Sequence, residues 1–445
     1  MYLRNILAIL VITFLQKLHA QQINIDSLKH QIKKELKEEY AIAKNKSNLL
    51  RWKNFKLRGY GAINYYKNDF DTNPNEKDKI DPERLNLYLD YNFTPKIALK
   101  TEIEFEHGGT GSTLELETFE EGGEFEQEIE TGGEVKLEQV YINFNISENF
   151  NVKAGRFKIQ FGLAQNLDTP DEYFTSYRPE MENQLLPLGW YETGVDIYGS
   201  FFKGRVKYHV SFVNGLDGTG FNSQNFIRDG HQTRFEMMNA EDFAISTRLD
   251  YKFGKHKNTF VGFSTYYGNT SGNRPKNDID VDSYLTMFEG HFSYNEHPLR
   301  IASTAIWGGL GNSEIVSFFN ANLSNNLGVK RTPVAKSALG FATEIGYDVL
   351  PLLFNDTKGM MFYPFIRYDY YDTMQTVAQG ISDNPRWQRN VITGGFNWFV
   401  APKIIVKTHY SERKLGSKNI DPVTGAQLSN NQIDKIFSIG IGFTF

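Results

Sequence analysis

The sequence predicts an all-β protein: a 16-stranded antiparallel transmembrane β-barrel preceded by a short N-terminal helical arm. Three observations lead there. The last segment alternates strictly, with Phe437, Ile439, Ile441, Phe443 and Phe445 separated by Ser438, Gly440, Gly442 and Thr444. Alternation of period two puts a greasy set on one sheet face and a small or polar set on the other. Segments of this kind recur along the chain, and the connections between them run long, short, long, short. Finally, the mean hydropathy is −0.46 with 14% aromatic residues, too polar for a bundle of spanning helices yet rich in the side chains that suit half-wet strands. Beyond the first twenty residues no apolar run approaches the ~18 residues a spanning helix needs.

From the N-terminus, Arg4 precedes the apolar stretch Ile6–Leu15, and Leu18-His19-Ala20 ends in a small residue. This pattern reads as a secretory signal over residues 1–20, cleaved after Ala20. Residues 21–53 read as a periplasmic amphipathic helical arm. Ile25, Leu28, Ile32, Leu36 and Tyr40 recur at three- and four-residue spacing among Lys and Glu, forming one apolar stripe too short to be stable alone.

Residues 54–445 read as the barrel. The first strands fall near 55–66, 83–93, 96–106, 135–146, 150–161, 192–201, 205–213 and 242–251. The remaining eight fall near 259–268, 283–294, 299–308, 338–349, 361–371, 389–399, 403–413 and 432–445. Tight turns such as Thr94-Pro95 and Phe202-Lys203-Gly204 alternate with long connections such as 107–134, 162–191 and 214–241. An even strand number, about ten residues per strand and turns of alternating length are the layout of outer-membrane barrels. Closure satisfies every backbone group, which an open sheet in lipid does not. A β-propeller also uses many short strands, but it carries a blade-length repeat, and none is present.

The chain has no cysteine, which excludes disulfides, thiolate metal sites and cysteine nucleophiles. The formal charge is −5, and it moves to −7 without the leader's Arg4 and Lys17. Nine glutamates between Glu115 and Glu134 outweigh that whole excess, so the acidity is local to one external loop. No phosphate-binding loop, HExxH helix or GxSxG elbow is present, so no enzyme, cofactor or metal site is expected. Asp278, Asp280, Asp282 and Glu289 mimic a calcium loop, but Ser283 replaces the required glycine. Nothing in the charge distribution points to nucleic acid.

Gly155-Arg156-Phe157-Lys158-Ile159-Gln160-Phe161-Gly162 resembles the GRFK-x-PFG strand of the phosphate-selective porin O and P family, with Gln160 in place of its usual proline. Arg178-Pro179-Glu180, Leu186-Pro187, Trp190, Glu192-Thr193-Gly194 and Asn214-Gly215 resemble the stretch C-terminal to that strand in the same family. As architecture the similarity spans 54–445; its specific motifs lie within 153–215. The terminal Phe445 resembles the assembly signal of outer-membrane barrels. The resemblance implies a 16-stranded channel in the bacterial outer membrane, often a homotrimer, carrying small anions such as phosphate or polyphosphate.

In general porins the loop after the fifth strand folds inward, which makes 162–191 the expected constriction, with Tyr173 and Tyr177 as candidates on it. Arg178 either faces the pore or pairs with Glu180 or Glu182. Strand parity adds the rest. With Phe157, Ile159 and Phe161 facing lipid, Arg156 and Lys158 face water. By the same rule Lys56, Arg58, Arg84, Arg205 and Lys207 face inward, as do His209, Arg248 and Arg300. Rings of Lys and Arg replace part of an anion's hydration shell with fixed donors. Against them, Asp90, Glu102, Glu104, Glu106 and Asp250 also face inward. Three readings stay open: an anion channel, a non-selective or cation-preferring pore, and a barrel-borne surface adhesin or scaffold.

Overall fold

In the computed structural model the described residues are 33–34, 54–109, 117–120, 124–126, 133–232, 238–254, 258–323, 331–416 and 432–445. The chain divides into two compact units, 1–53 and 54–445. The leader and arm expected over 1–53 lie outside the described residues, except that Lys33 and Lys34 are helical.

The second unit is a closed antiparallel barrel of sixteen strands in chain order. They are β1 (Phe55–Phe70), β2 (Lys79–Asn92), β3 (Ile97–Glu106), β4 (Glu134–Asn145), β5 (Asn151–Lys158), β6 (Tyr191–Phe201), β7 (Val206–Asn214) and β8 (Phe243–Phe253). The series continues with β9 (Thr259–Asn269), β10 (Tyr284–Glu296), β11 (Leu299–Leu310), β12 (Ser337–Tyr347), β13 (Met361–Thr376), β14 (Gln388–Ala401), β15 (Ile404–Leu415) and β16 (Ile433–Thr444). Every strand expected from the alternation is present. In the acidic loop Glu117–Glu120 pairs with Glu124–Glu126 as a small separate hairpin. Among the described residues the other connections hold three short α-helices, α1 (Glu180–Leu185), α2 (Ser313–Ala321) and α3 (Leu350–Leu353).

Closure runs through β1 and β16, from Tyr60 opposite Thr444 to Phe70 opposite Asp434. The C-terminal residue completes it: Gly59 N–H donates to the Phe445 carbonyl at 3.1 Å, and Phe445 N–H donates back at 2.9 Å. On the outer face of β1, Gly59 and Gly61 leave shallow notches. The rings of Phe445 and Phe443 cover them so closely that a Cβ at either glycine would sit 2.6 Å from ring carbon.

Leu57, Ile63, Leu249, Phe263, Phe288, Ile366 and Ile441 are all large, apolar and exposed, as a lipid-facing band requires. Tyr251, Tyr347 and Trp398 near the short-turn end are exposed too, where amphipathic rings suit the membrane interface.

One stretch departs from the expected parity. β5 stops at Lys158, and Phe157, Ile159 and Phe161 are buried, not lipid-facing. They belong to an apolar cluster inside the barrel with Met181, Leu185, Trp190, Tyr266, Met287, Ile306 and Trp387. The reason lies in register. Phe157 sits opposite Glu192 and Arg156 opposite Thr193, so Arg156 shares the outer face with Thr193 and with exposed Val195. Apolar character marked these positions as buried. Loop packing inside the barrel, rather than lipid outside it, supplies the burial.

Phe263 lies at the middle of β9 on the lipid face. Phe263→Arg is expected to lower stability by about 2–4 kcal/mol, measured by reversible urea unfolding in lipid vesicles, whereas Phe263→Leu stays within about 1.5 kcal/mol of the parent.

Candidate channel lumen and constriction

At Gly162 the chain leaves the wall of the barrel. Its φ is +79°, and a Cβ there would lie 2.6 Å from a Glu182 carboxylate oxygen, so glycine is demanded twice over. Arg248 on β8 holds this point by donating from Nη1 to the Gly162 carbonyl at 2.6 Å. Arg248 is itself fixed by Asp250 at 3.0 Å, and Asp250 meets His291 at 2.9 Å.

From there residues 163–190 cross the interior to the opposite wall. Lys407 on β15 donates to the carbonyls of Tyr173 at 2.7 Å and Thr175 at 2.8 Å. Phe174 stacks on Phe365 of β13, with ring centroids 4.9 Å apart. Tyr177 shares a hydrogen bond with Ser411 at 3.1 Å. Asp369 accepts the Met181 N–H at 3.1 Å, and Glu180 pairs with Arg413 at 2.6 Å. The loop is thus a strut through the barrel interior, tied at its base and across its far side.

The tyrosines take a different part in this from lining the passage. Tyr173 is buried with its ring 3.9 Å from the Lys407 ammonium, and burial pushes its hydroxyl up to about 12. Both Tyr173 and Tyr177 pin the strut to the wall. Burial works to raise the Glu180 carboxyl, but Arg413 beside it outweighs that and holds it below the usual carboxylate value.

Three of the predicted basic residues meet at the near wall, each with a carboxylate. Arg84 pairs with Glu83 at 2.8 Å and Glu104 at 3.4 Å. Lys158 bonds Asp168. Arg178 also pairs with Asp168, at 3.3 Å, in place of the expected Glu180 or Glu182. Glu102 accepts from Asn86 at 2.9 Å and from Gln139. Four carboxylates therefore surround three cations. Sequence parity missed Glu83, which turns inward at an irregularity opposite Ala62–Asn64; Pro82 beside it was the available signal. Arg156 does not join this group. Its Nε donates to the Glu138 carbonyl at 3.2 Å, and it lies against His231, which burial, aided by the Arg156 charge, holds down to about 4.

The short-turn end of the lumen differs. Lys56, Arg58, Arg205 and Lys207 are exposed there, and among the described residues none has a carboxylate within ion-pair distance. The nearest acids in register are already engaged. Asp90, opposite Lys56, binds Lys100 at 2.7 Å. Asp250, opposite Lys207, binds Arg248 and His291. Arg58 lies 4.3 Å over the Tyr88 ring. Two open cavities flank this region: one of about 510 Å³ touching Lys56 and Lys100, and one of about 570 Å³ beneath the strut, touching Lys252 and Arg300. Among the described residues no group of acids and histidines is arranged to hold a metal ion.

No protein-family model matches the sequence. An uncharacterized protein of Aquifex aeolicus (strain VF5) is 26% identical over 381 residues, spanning 85% of this chain and 80% of its own. Among solved structures, an anion-selective porin from Comamonas acidovorans superposes with a TM-score of 0.52 at 11% identity, over 88% of this chain and 99% of that one. The Salmonella typhi OmpF complex with daunomycin gives 0.50 at 11% identity, over 88% and 97%. The fold is that of a 16-stranded outer-membrane porin.

The fastening of the strut is testable at two of its ties. Lys407→Met leaves two buried carbonyls without their charged donor, a loss of about 1.5–3 kcal/mol, and is expected to speed hydrogen exchange of the amides around 173–176 while the barrel strands stay protected. Because Glu180 is held below its unfolded value of 4.5, its contribution is present above that pH and lost as pH falls through the depressed value. Acid titration of the strut's exchange rates is expected to show that release, and Glu180→Gln to remove the pH dependence.

Proposed function

We propose that the protein is a bacterial outer-membrane porin through which small anions diffuse passively, phosphate and polyphosphate among them. The observation that carries this reading is the set of uncompensated cations at the short-turn end of the lumen: Lys56, Arg58, Arg205 and Lys207. Fixed positive charge at the mouth concentrates anions locally and lowers their entry barrier. The strut restricts the passage without any catalytic group being required. Export through a signal cleaved after Ala20, the helical arm over 21–53 and a homotrimer in outer-membrane lipid complete the proposal. The sequence resemblance at 155–162 and the porin fold support it.

A second reading, a non-selective or cation-preferring pore, has a specific observation in its favour. At the constriction the four carboxylates Glu83, Glu102, Glu104 and Asp168 exceed Arg84, Lys158 and Arg178 by one. Which region dominates depends on where the field is least screened. Arg84, Lys158 and Arg178 each lie within about 4 Å of a carboxylate, so those fields largely cancel beyond a Debye length of ~8–10 Å, and Glu102, held by neutral amides, is the one carboxylate left over. Among the described residues the mouth cations have no such partner.

Single-channel recording in a planar bilayer under a potassium chloride gradient decides between them. An anionic reversal potential is expected. Neutralising Lys56, Arg58 and Lys207 to Gln should reduce the chloride-to-potassium permeability ratio by up to roughly fourfold per charge, because one unit charge ~10 Å away in water shifts each ion's local concentration about twofold in opposite directions. A cationic reversal potential in the parent protein would mean that the constriction carboxylates set the filter.

A further inference from the structure

The cavity beneath the strut has a chemistry that an inorganic anion does not use. Its volume is about 570 Å³, within the range of small-molecule sites. Phe174, Tyr363, Phe399, Met361 and Phe260 line it. Arg300 and Lys252 stand among these rings. The Arg300 guanidinium lies 4.9 Å from the Phe174 ring centroid and 5.8 Å from that of Tyr363. It donates to the carbonyls of Asp171 at 3.1 Å and Glu172 at 2.8 Å, which leaves part of its five-donor fork unspent. The Lys252 ammonium sits 5.7 Å from the Phe260 ring and has no ion-paired carboxylate among the described residues.

Two of the three acids that border the cavity have other engagements. Glu344 is bound by Arg367 at 2.9 Å. Glu172 accepts the backbone N–H groups of Asp168 and Thr169, each at 2.9 Å. Asp171 also lines the cavity, and its Oδ1 is buried without a hydrogen-bond partner, so it is the one bordering acid that a bound carboxylate must keep away from. A hydrated inorganic anion gains charge attraction here but must face an aromatic wall that offers it nothing. A flat organic anion gains on both counts, its ring against Phe260 or Tyr363 and its charged end toward Lys252 or Arg300.

We propose that this cavity is a binding station for small aromatic carboxylates passing through the lumen. The inference rests on the anion-pore reading and narrows its substrate class. Its test uses the whole protein in a planar bilayer, with sodium benzoate, sodium acetate or phosphate added on the short-turn side. Benzoate is expected to interrupt the potassium chloride current at a concentration at least tenfold below that needed for acetate or phosphate. Phe260→Ala and Lys252→Gln are each expected to raise the benzoate concentration for half-block threefold or more, with heat-shifted electrophoretic mobility confirming that each barrel is folded.

Equal block by benzoate and acetate overturns the site. The reversal potential recorded in the same membranes separates the two ideas. Anion preference without selective benzoate block removes the site and leaves the anion pore standing. Cation preference with selective benzoate block supports the site and removes the anion-pore reading.

Discussion

In a lipid environment each unpaired backbone N–H or C=O costs several kcal/mol, so the sheet must have no edge. Here that condition is met at one seam, where the first strand of the barrel meets the last. The reciprocal pair between Gly59 and Phe445 closes its end, and the rings of Phe443 and Phe445 fill the notches left by Gly61 and Gly59. The C-terminal phenylalanine thus serves as hydrogen-bonding partner, lipid-facing apolar group and cover for a glycine. The other features of the molecule presuppose this closed cylinder, because a strut can only span an interior that already exists.

The strut occupies the interior of this cylinder. Gly162 lets the chain turn inward, Arg248 fixes the departure, and Lys407, Phe174 and Glu180 fasten the far side. The fastening joins a loop to strands more than 180 residues away in sequence, as in the bond from Met181 to Asp369. Its apolar surface, with Phe161, Met181 and Trp190, merges with inward-facing Met287, Ile306 and Trp387. The long-loop half of the interior is therefore a packed core, and open space lies toward the short turns.

Charge follows the same division. In the packed region Arg84, Lys158, Arg178 and Arg367 each meet a carboxylate, while Lys407 is held by the carbonyls of Tyr173 and Thr175 and Glu102 by neutral amides, since a buried charge without a polar partner is costly. Toward the short turns, water solvates single charges, so Lys56, Arg58, Arg205 and Lys207 persist without acids beside them. Among the described residues the separation of paired from unpaired charge follows burial.

Alternation and loop length by themselves determined the class of fold and all sixteen strands within a few residues, because period-two patterning is a local property of the chain; the inward loop after β5 was expected only from the resemblance to general porins. They also marked the inward basic residues of β1 and β7. They did not determine the face of Arg156, since Phe157 looks the same whether lipid or a folded loop covers it. Nor did they reveal Glu83 turned inward at an irregular register, Arg178 paired with Asp168, or Tyr173 and Tyr177 acting as fasteners. One clue was present: Leu285 and Met287 alternate with Tyr284 and Phe288, so both faces of β10 are apolar toward its long-loop end. That signals burial on both sides without naming the partner. Partners depend on which distant segments share space inside the barrel, and only the tertiary structure decided that, because closure brings together residues that no local pattern connects.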